Sequence, residues 1–489
     1  MKLKSLFQDM PGMHFNGNGE ADVLGLAYSS KQVQPGFLFA AIRGEKKDGF
    51  EFIEEALRGG AAAVLSDRPR PQGLKCPWVR AADVREALAL AAANFYGQPS
   101  MKLKVIGITG TKGKTTLTYL LESIFQKAGY RPGVIGTINY RWPNMAQAAP
   151  RTTPEAPDLQ RMMSEMLDQG VTHCLIEVSS HALDLKRVWG VHFDVAVFTN
   201  LSAEHLDYHA SMEDYFEAKK RLFFLNAKKR TAVVNMDDPW GKRLMAELPL
   251  TTVSFGLEPA AIVRAEQYRF AETGIKAEVD YPGGQVEICS ALMGKHNLYN
   301  ILAAVATGLA LNIPAATIKE GISALKSIPG RLQKIENELG FQVFVDYAHT
   351  DQAMRSLLES IRDLKPRRIL LVFGAGGDRD RSKRPRMGEV AASLADFSII
   401  TSDNPRSEDP LAIIADIEKG FVSRDAKNYR IVPDRKEAIS EALAAAQKGD
   451  YVLIVGKGHE DYQIFKDRTV HFDDAEAVRS MLKRPEAKG

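Results

Sequence analysis

The stretch that most constrains the fold is residues 109–116, with the sequence TGTKGKTT. It follows an apolar run at 105–108 and precedes an amphipathic run at 117–128, so the local order is strand, glycine turn, helix. Backbone N–H groups and the positive end of the helix then converge on one point, which suits a phosphate group. Lys114 adds a mobile cation, and the Thr115 hydroxyl is placed to bind Mg²⁺. We therefore predict a nucleoside triphosphate site.

The match to the common phosphate-loop pattern is imperfect, because position 108 is isoleucine and the leading glycine is displaced to position 110. A tight turn with a surface lysine is the alternative interpretation. The strand and helix patterns on both flanks favour the phosphate loop, since the motif requires that context. The predicted nucleotide-binding residues in this stretch are Gly110, Thr111, Lys112, Gly113, Lys114, Thr115 and Thr116.

Length and composition exclude several classes of protein. The 489 residues correspond to about three domains, and a net charge of +3 gives no reason to expect a nucleic acid partner. The three cysteines form no CxxC pair, so we expect no disulfide framework and a reducing cytosol. The first residues lack the apolar core of a signal peptide, and no apolar run approaches the roughly 18 residues that span a bilayer. We predict a cytoplasmic protein without a membrane span.

The apolar runs predict an α/β protein with a small α/β domain at 1–98, a central parallel-sheet domain at 99–329 and a third α/β domain at 330–489. Residues 96–100 (YGQPS) are a predicted linker. The predicted helices are 50–59, 117–128 and 215–224. The predicted strands are 36–42, 61–65, 105–108, 134–136, 173–178, 195–198, 231–235, 343–346, 368–373, 397–401 and 451–455.

Polar clusters follow four predicted strands of the third domain, at 346–349, 374–380, 403–406 and 456–460. In open α/β sheets, ligands bind at the carboxyl ends of the strands. We therefore expect a second binding site at this edge.

Several polar groups of the central domain have two interpretations. Glu177 ends an apolar strand and is a good Mg²⁺ ligand beside a phosphate loop, although an Asx-like or capping role for the polar cluster 177–181 is the alternative. His205 and His209, with two acids between 204 and 209, suggest a second polar or metal site, while a structural histidine is the better interpretation of each alone. Composition alone favours a solvated basic face for 219–221.

Other candidates are weaker. Arg187 is suited to an anionic substrate group, and the Thr152 and Thr153 hydroxyls are suited to a ligand-binding loop. Asn297 and Asn300 precede and enter an alanine-rich helix, where they either cap the helix or bracket a nucleobase.

Taken together, these motifs resemble those of the Mur ligases, the ATP-dependent enzymes that form amide bonds in peptidoglycan precursor synthesis. The resemblance extends from residue 30 to residue 460, and within the family it is closest to the branch that adds the third residue of the stem peptide. The motifs that carry it lie in one order at 109–116, 177–181, 199–209, 294–300 and 346–349.

The resemblance implies a role for each domain. The first domain would hold the uridine nucleotide of the acceptor, the central domain ATP, and the third, Rossmann-like domain the incoming amino acid. Asn297, Arg331 and Asp346 would help to hold the nucleoside of ATP. The residues implied for UDP-MurNAc-L-Ala-D-Glu are Ser30, Thr152, Thr153, Ser179 and Arg187.

The resemblance also implies that Lys219 is carbamylated by CO₂ and that Lys114, Glu177, His205 and Lys219 are catalytic. Thr115, Glu177, His205 and the carbamate would organise Mg²⁺ around the phosphates. Lys219 must be neutral to attack CO₂, so we expect its pKa to be lowered by burial or nearby cations.

The amino-acid pocket implied by the resemblance is that of enzymes that use meso-2,6-diaminopimelate. Arg406, fourth in the run Asp403, Asn404, Pro405, Arg406, can bind the second carboxylate of this substrate through two hydrogen bonds and would repel the side-chain ammonium of lysine. Arg379, Gly456 and Glu460 match the remaining contacts, and Glu460 suits an ammonium group.

The implied reaction transfers the γ-phosphate of ATP to the D-glutamyl carboxylate, and the diaminopimelate amine then attacks the acyl phosphate. We expect a monomer acting in cell wall biogenesis, and hence in cell shape and division. The alternatives are an L-lysine-adding ligase, a ligase similar to folylpolyglutamate synthetase, and a nucleotide switch or scaffold that forms no amide.

Overall fold

The computed structural model describes residues 1–44, 47–225, 230–249 and 251–482. The chain divides into two compact units. The first contains Met1–Glu266, Val279–Val286 and Tyr299–Ile322, and the second contains Gln267–Glu278, Glu287–Leu298 and Ser323–Gly489.

The first unit begins with a small five-stranded sheet in the order β1-β5-β4-β3-β2, in which only β1 is antiparallel to its neighbour. Its elements are α1 (Leu3–Leu6), β1 (His14–Asn16), β2 (Gly25–Ala27), β3 (Phe37–Ala40), α2 (Ile53–Arg58), β4 (Ala63–Ser66), β5 (Trp78–Arg80) and α3 (Val84–Phe95). Both predicted strands and the predicted helix are confirmed with shifted bounds. The helix starts as a 3₁₀ turn at Gly49–Phe52, because the Asp48 side chain accepts from Phe50 N–H.

The larger sheet of this unit is built from continuous apolar strands. Its elements are β6 (Lys104–Thr109), α4 (Lys114–Lys127), β7 (Pro132–Ile135), β8 (Asn139–Trp142), β9 (Met145–Ala148), α5 (Ala156–Asp168), β10 (His173–Glu177), α6 (Ser180–Asp184), β11 (Val195–Phe198), α7 (Met212–Lys220), β12 (Thr231–Asn235), α8 (Pro239–Glu247) and β13 (Thr251–Gly256).

The strands from β13 to β7 run parallel in the order β13-β12-β11-β6-β10-β7. The parallel arrangement was predicted from the sequence, but the strand order and β13 were not. The sheet then continues as an antiparallel hairpin, β8 and β9, which the sequence did not predict. The pattern of β8 alternates buried and half-buried residues, and β9 is mostly exposed, so neither forms an apolar run. Helix α7 is shorter than predicted and ends in a 3₁₀ turn at Arg221–Phe223.

Five further elements follow, and the division between the two units falls among them. They are β14 (Val263–Ala271), β15 (Gly274–Tyr281), β16 (Gly284–Ser290), α9 (Lys295–Ala310) and α10 (Ala315–Ala324).

The second unit contains a six-stranded sheet in the order β17-β18-β22-β19-β20-β21, parallel except for β17. Its elements are β17 (Gln333–Ile335), β18 (Gln342–Asp346), α11 (Asp351–Arg362), β19 (Ile369–Phe373), α12 (Lys383–Leu394), β20 (Phe397–Ile400), α13 (Pro410–Val422), β21 (Tyr429–Ile431), α14 (Arg435–Ala445), β22 (Tyr451–Val455), β23 (Tyr462–Ile464), β24 (Thr469–His471) and α15 (Asp474–Leu482).

This sheet has a core on each face. Helices α11, α12 and α13 cover one face, and α14 and α15 cover the other. Because β18, β19, β20 and β22 are parallel, their carboxyl ends lie at the same edge, and the four predicted polar clusters follow those ends. The α/β class with parallel sheets is therefore confirmed. Within the described residues, none of the helices combines the length and apolar character needed to cross a bilayer.

Helices α12 and α13 approach each other closely through glycines. A Cβ on Gly420 would lie 2.0 Å from the carbonyl oxygen of Pro385, and one on Gly388 would lie 2.1 Å from that of Ile417. We expect Gly420→Ala to reduce the free energy of unfolding by about 1–3 kcal/mol, because backbone atoms must move apart. Urea unfolding of the full chain measures this effect.

The matched control is Val422→Ala, two residues later on the same helix, where the side chain is 67% exposed. We expect a change within about 0.5 kcal/mol for the control. Equal unfolding midpoints for Gly420→Ala and the unsubstituted chain would contradict the close approach.

Candidate active site

The phosphate loop is held by residues that follow β11. The Lys112 N–H donates to Oδ1 of Asn200 at 3.0 Å, and the Asn200 amide donates back to the Lys112 carbonyl at 3.1 Å. The Thr199 hydroxyl donates to the same carbonyl at 2.6 Å. A Cβ on Gly110 would lie 1.9 Å from Thr199 Oγ1, so the displaced glycine is required by space as well as by its φ of 144°.

Two lysines converge on this loop. Lys114 is the first residue of α4, three residues earlier than predicted, and its Nζ donates to the carbonyls of Gly110 at 2.8 Å and Thr111 at 2.9 Å. Lys219 is buried, and its Nζ donates to the Gly110 carbonyl at 2.9 Å. Burial, and then the charge of Lys114, hold the pKa of Lys219 well below its usual range, as expected from the sequence. The solvated basic face suggested by composition is wrong for Lys219.

Glu177 lies beside the first turn of α4. Its carboxylate accepts from the Thr115 hydroxyl at 3.0 Å, and from the hydroxyl and N–H of Thr137 at 2.8 and 3.0 Å. The capping alternative is confirmed for the polar cluster at Ser179, which caps α6 and whose hydroxyl accepts from Ala182 N–H, whereas Glu177 is not the capping residue. A hydroxyl and a carboxylate at the phosphate loop are oxygen donors of the kind Mg²⁺ prefers, so Thr115 and Glu177 fit this ion.

The histidines of the loop before α7 pack in an aromatic cluster. The ring of His205 lies 5.0 Å from that of His181, and the ring of His209 lies 5.0 Å from that of Tyr215. Burial lowers the pKa of His205 to about 4, so this imidazole is neutral at pH 7. Across residues 1–44, 47–225, 230–249 and 251–482, no three His, Cys, Asp or Glu side chains are grouped to hold a metal.

Four of the five predicted acceptor-binding residues are in mutual contact or share a neighbour. The Thr152 hydroxyl lies 3.1 Å from that of Thr137, and the Thr153 hydroxyl donates to the Glu177 carbonyl at 2.7 Å. The N–H of Ser179 donates to Thr153 Oγ1 at 3.2 Å, and Arg187 donates to the Thr153 carbonyl at 3.1 Å. The predicted acceptor loop therefore lies against the predicted magnesium ligand.

The fifth residue, Ser30, lies in the small sheet region, where its hydroxyl donates to Glu55 at 2.9 Å. In the described part of the chain, no hydrogen bond joins Ser30 to the other four. The small sheet region does contact the central region, through Tyr28, whose hydroxyl donates to Asp158 at 2.7 Å. Arg187 also forms an ion pair with Glu155, with 3.0 Å between Nε of Arg187 and Oε1 of Glu155.

The remaining nucleotide candidates lie in the second unit. Asp346 accepts from Leu332 N–H at 2.6 Å, and the guanidinium of Arg331 lies 4.7 Å from the centre of the Tyr347 ring. Asn297 is buried in the first turn of α9, and its amide donates to the Met293 carbonyl at 2.8 Å. The structure therefore brings Arg331 and Asp346 together.

The predicted amino-acid pocket is formed by interlocked loops after β19, β20 and β22. The Arg406 guanidinium donates to the Gly377 carbonyl at 2.7 Å, and the Asn404 amide donates to Glu460 at 2.7 Å. A Cβ on Gly456 would lie 2.5 Å from a carboxylate oxygen of Asp403. Asp403, Asn404, Pro405, Arg406, Gly456 and Glu460 thus form one cluster, whereas the guanidinium of Arg379 donates to the carbonyl of Asp378 at the exposed end of its loop.

Two buried arginines that hold these loops were not predicted. Arg384 donates to Glu408 at 2.8 Å and to the Gly376 carbonyl at 3.3 Å, and it lowers the pKa of Glu408 to about 2. Arg435 pairs with Asp474 at 2.7 Å, with both side chains fully buried, and also donates to the Val455 carbonyl at 3.1 Å. Their partners lie between 8 and 39 residues away in sequence, so no local pattern indicates them.

Comparison with known proteins assigns the family. Residues 108–308 match the Mur ligase middle domain, 330–458 match the Mur ligase glutamate ligase domain, and 22–96 match the Mur ligase catalytic domain. A protein of Geobacter metallireducens named UDP-N-acetylmuramoyl-L-alanyl-D-glutamate–2,6-diaminopimelate ligase is 44% identical over the whole of both chains. The chain belongs to the Mur ligase family.

Two further relatives agree with this assignment. A protein of the same name from Solibacter usitatus is 45% identical. The alignment covers 95% of this Mur ligase and 94% of the Solibacter protein. A solved structure of a UDP-N-acetylmuramoyl-L-alanyl-D-glutamate–2,6-diaminopimelate ligase is 31% identical, with a TM-score of 0.72 over 99% of this chain and 98% of its own. Mur ligases are ATP-dependent enzymes, and this chain is one of them.

The Asn200 clamp on the phosphate loop has a measurable consequence. We expect Asn200→Ala to weaken ATP binding about tenfold, because the N–H and carbonyl of Lys112 lose their partner and the loop loosens. Isothermal titration with ATP and magnesium measures this change. Gln147→Ala, on the exposed strand β9, is the control and should bind ATP as the unsubstituted enzyme does. Unchanged affinity for Asn200→Ala would show that the loop holds its shape without the clamp.

Proposed function

We propose that this Mur ligase joins meso-2,6-diaminopimelate to UDP-MurNAc-L-Ala-D-Glu at the expense of ATP, in the cytoplasm and as a monomer. The observation that carries the proposal is the cluster in which Glu460 accepts from Asn404, two residues before Arg406, while the Arg406 guanidinium donates to the Gly377 carbonyl. An arginine and a carboxylate in one pocket match a substrate with a second carboxylate and a second ammonium group. The names of the relatives at 44% and 45% identity support the same substrate.

The proposed reaction has two steps. An oxygen of the D-glutamyl carboxylate attacks the γ-phosphorus of ATP, the bond to the β-phosphate oxygen breaks, and an acyl phosphate and ADP form. The amine of diaminopimelate then attacks the acyl carbon, the carbon–nitrogen bond forms, phosphate leaves, and the nitrogen loses a proton. Lys114 and the N–H groups of 110–113 stabilise the charge that spreads over the phosphoryl oxygens.

Four residue groups have assigned roles in this proposal. Thr115, Glu177, His205 and carbamylated Lys219 would hold Mg²⁺, which neutralises phosphate charge when bound. Asn297, Arg331 and Asp346 would contact the nucleoside. The acceptor would bind Ser30, Thr152, Thr153, Ser179 and Arg187, and the amino acid would bind Arg379, Asp403, Asn404, Pro405, Arg406, Gly456 and Glu460.

The domain borders are part of the same proposal. Residues 1–98 would bind the uridine nucleotide, 99–329 ATP, and 330–489 the amino acid. The hydrogen bond between Tyr28 and Asp158 supports a substrate-binding surface shared by segments 1–98 and 99–329.

The surroundings of Lys219 support the proposed carbamate. A neutral amine attacks the carbon of CO₂, a carbon–nitrogen bond forms, and one proton is released, which leaves an anionic oxygen ligand. The buried position of Lys219 and the neighbouring Lys114 favour the neutral amine that this step requires.

The carbamate can be detected directly. We expect the enzyme in ¹³C-bicarbonate to show a carbamate carbon resonance that is absent in Lys219→Met, with the rate of amide formation reduced about 100-fold in that variant. The control is Lys220→Met, because the neighbouring ammonium points outward to Glu217 and Glu247. A resonance that survives in Lys219→Met would place the carbamate elsewhere.

The substrate is tested by mass spectrometry of the product made from UDP-MurNAc-L-Ala-D-Glu, ATP and equal amounts of diaminopimelate and L-lysine. We expect the diaminopimelate product, and we expect Arg406→Ala to lower kcat/KM for diaminopimelate roughly 100-fold, because a carboxylate loses its charged partner. Arg430→Ala, at an exposed arginine of β21, is the control.

Other products would overturn the proposal in distinct ways. A predominant lysine product would identify a lysine-adding ligase. Failure to use any uridine nucleotide would favour a ligase similar to folylpolyglutamate synthetase, and tight ATP binding without any new amide would indicate a nucleotide switch or scaffold.

A further inference from the structure

Lys457 is a fully buried lysine at the proposed amino-acid pocket, where no role has been assigned to it. It follows β22 in the loop 456–460, and its side chain is 0% exposed. Burying an ammonium group is costly unless acceptors surround it. The Nζ of Lys457 donates to the Tyr462 carbonyl, to Oδ1 of Asn404 at 3.4 Å and to Oε2 of Glu460 at 3.5 Å.

These contacts fix one oxygen of Glu460 and leave the other for a ligand. Oε2 of Glu460 accepts from both the Asn404 amide and Lys457. Among the described residues, none donates a hydrogen bond to Oε1, although the side chain is only 15% exposed. A half-satisfied carboxylate at this depth is suited to an ammonium group of the substrate.

Lys457 also joins the loops around this carboxylate. Asn404 Oδ1, which it contacts, accepts from Ile464 N–H at 2.9 Å, and the Gln463 amide donates to the Asp403 carbonyl at 2.8 Å. Strand β23 is thereby tied to the loop 403–406, and Lys457 ties both to the loop 456–460.

The positive charge of Lys457 affects the protonation of Glu460, because a second carboxylate, Asp403, lies nearby. Burial and the neighbouring Asp403 raise the pKa of Glu460, while Lys457 and the Asn404 amide oppose that rise. The charged and titratable groups that act on Glu460 are Lys457, Asp403, Arg435, Tyr347 and Tyr462.

We infer that Lys457 is a positioning residue for the incoming amino acid: it holds the Glu460 carboxylate in the orientation in which its second oxygen can receive an ammonium group. This inference rests on the proposed function, because Glu460 must bind the amino acid. Lys457 itself is held away from solvent and acts through Glu460.

The decisive variant is Lys457→Met. It is compared with the unsubstituted enzyme and with the control variant Lys436→Met, which changes an exposed lysine of the same unit. We expect the KM for diaminopimelate to rise about tenfold, and the KM values for ATP and acceptor to stay within about twofold.

The pH profile of kcat/KM for diaminopimelate adds a second readout. Lys457 lowers the pKa of Glu460, so its removal raises that pKa, and the acid limb of the profile must move to higher pH. The titration of the substrate is common to all variants and cancels in the comparison.

A second variant, Lys457→Gln, separates charge from scaffolding and serves if Lys457→Met does not fold. Glutamine keeps donors for Tyr462 and Asn404 but carries no charge, so the acid limb must move as it does for Lys457→Met. In Glu460→Gln the acid limb of the pH profile should be absent, because the carboxylate that titrates there has been removed. The double variant Glu460→Gln with Lys457→Met should also lack this limb.

An acid limb at the same pH in Lys457→Gln and the unsubstituted enzyme would overturn the inference, as would equal increases in KM for all three substrates. Failure of the proposed function would be visible instead in the unsubstituted enzyme, as the absence of a diaminopimelate product. The two failures are therefore distinguishable.

Discussion

Two lysine side chains donate to one carbonyl oxygen, that of Gly110, and both therefore contact the phosphate loop. The carbonyl can serve both because residue 110 has no side chain and lies against Thr199. Burial of Lys219, and then the charge of Lys114 at the same acceptor, hold the pKa of Lys219 well below its usual range. Burial thus favours the neutral amine form of Lys219, while Lys114 remains at the start of α4.

In the second unit, buried arginines hold the loops at the edge of the sheet. Its parallel strands deliver four loops to one edge, but loops alone would not hold charged side chains in place. Arg384 and Arg435 supply that rigidity, because each donates to a backbone carbonyl of a loop, that of Gly376 or Ser402, while its charge is balanced by an acid, Glu408 or Asp474. Buried ion pairs contribute little net stability on average, so their value here lies in fixing the loop geometry.

The sequence was sufficient for the parts of the fold that have a strong local signal. Strands buried on both faces form continuous apolar runs, and β11, β12 and β22 lie at the predicted residues. The hairpin β8–β9 was missed, because half-exposed edge strands carry no such run. The phosphate loop was predictable for the same reason as the long strands, since its chemistry and its flanking elements are contiguous in sequence.

Contacts between distant residues were beyond the reach of local patterns. Thr137 lies 40 residues before Glu177, and nothing in the intervening sequence indicates that their side chains meet. The run 219–221 shows the same limit. Composition favours a solvated face, yet the helix rotates Lys219 into the core and leaves Lys220 to pair with Glu217. Which lysine faces inward depends on the packing of α7, and only the resemblance of the motifs indicated it.

Buried positive charge links these observations. In a protein interior, a cation persists only where acceptors or acids compensate it, and each such position reduces stability unless it is well satisfied. Lys457, Arg384 and Arg435 are all buried, and each donates to a loop that follows a strand of a parallel sheet. Hydrophobic residues would fill these positions at lower cost, so stability does not account for the pattern. Directional donors fixed in a region of low dielectric constant do account for it, because they hold backbone carbonyls and carboxylates in the orientations that charged substrates require.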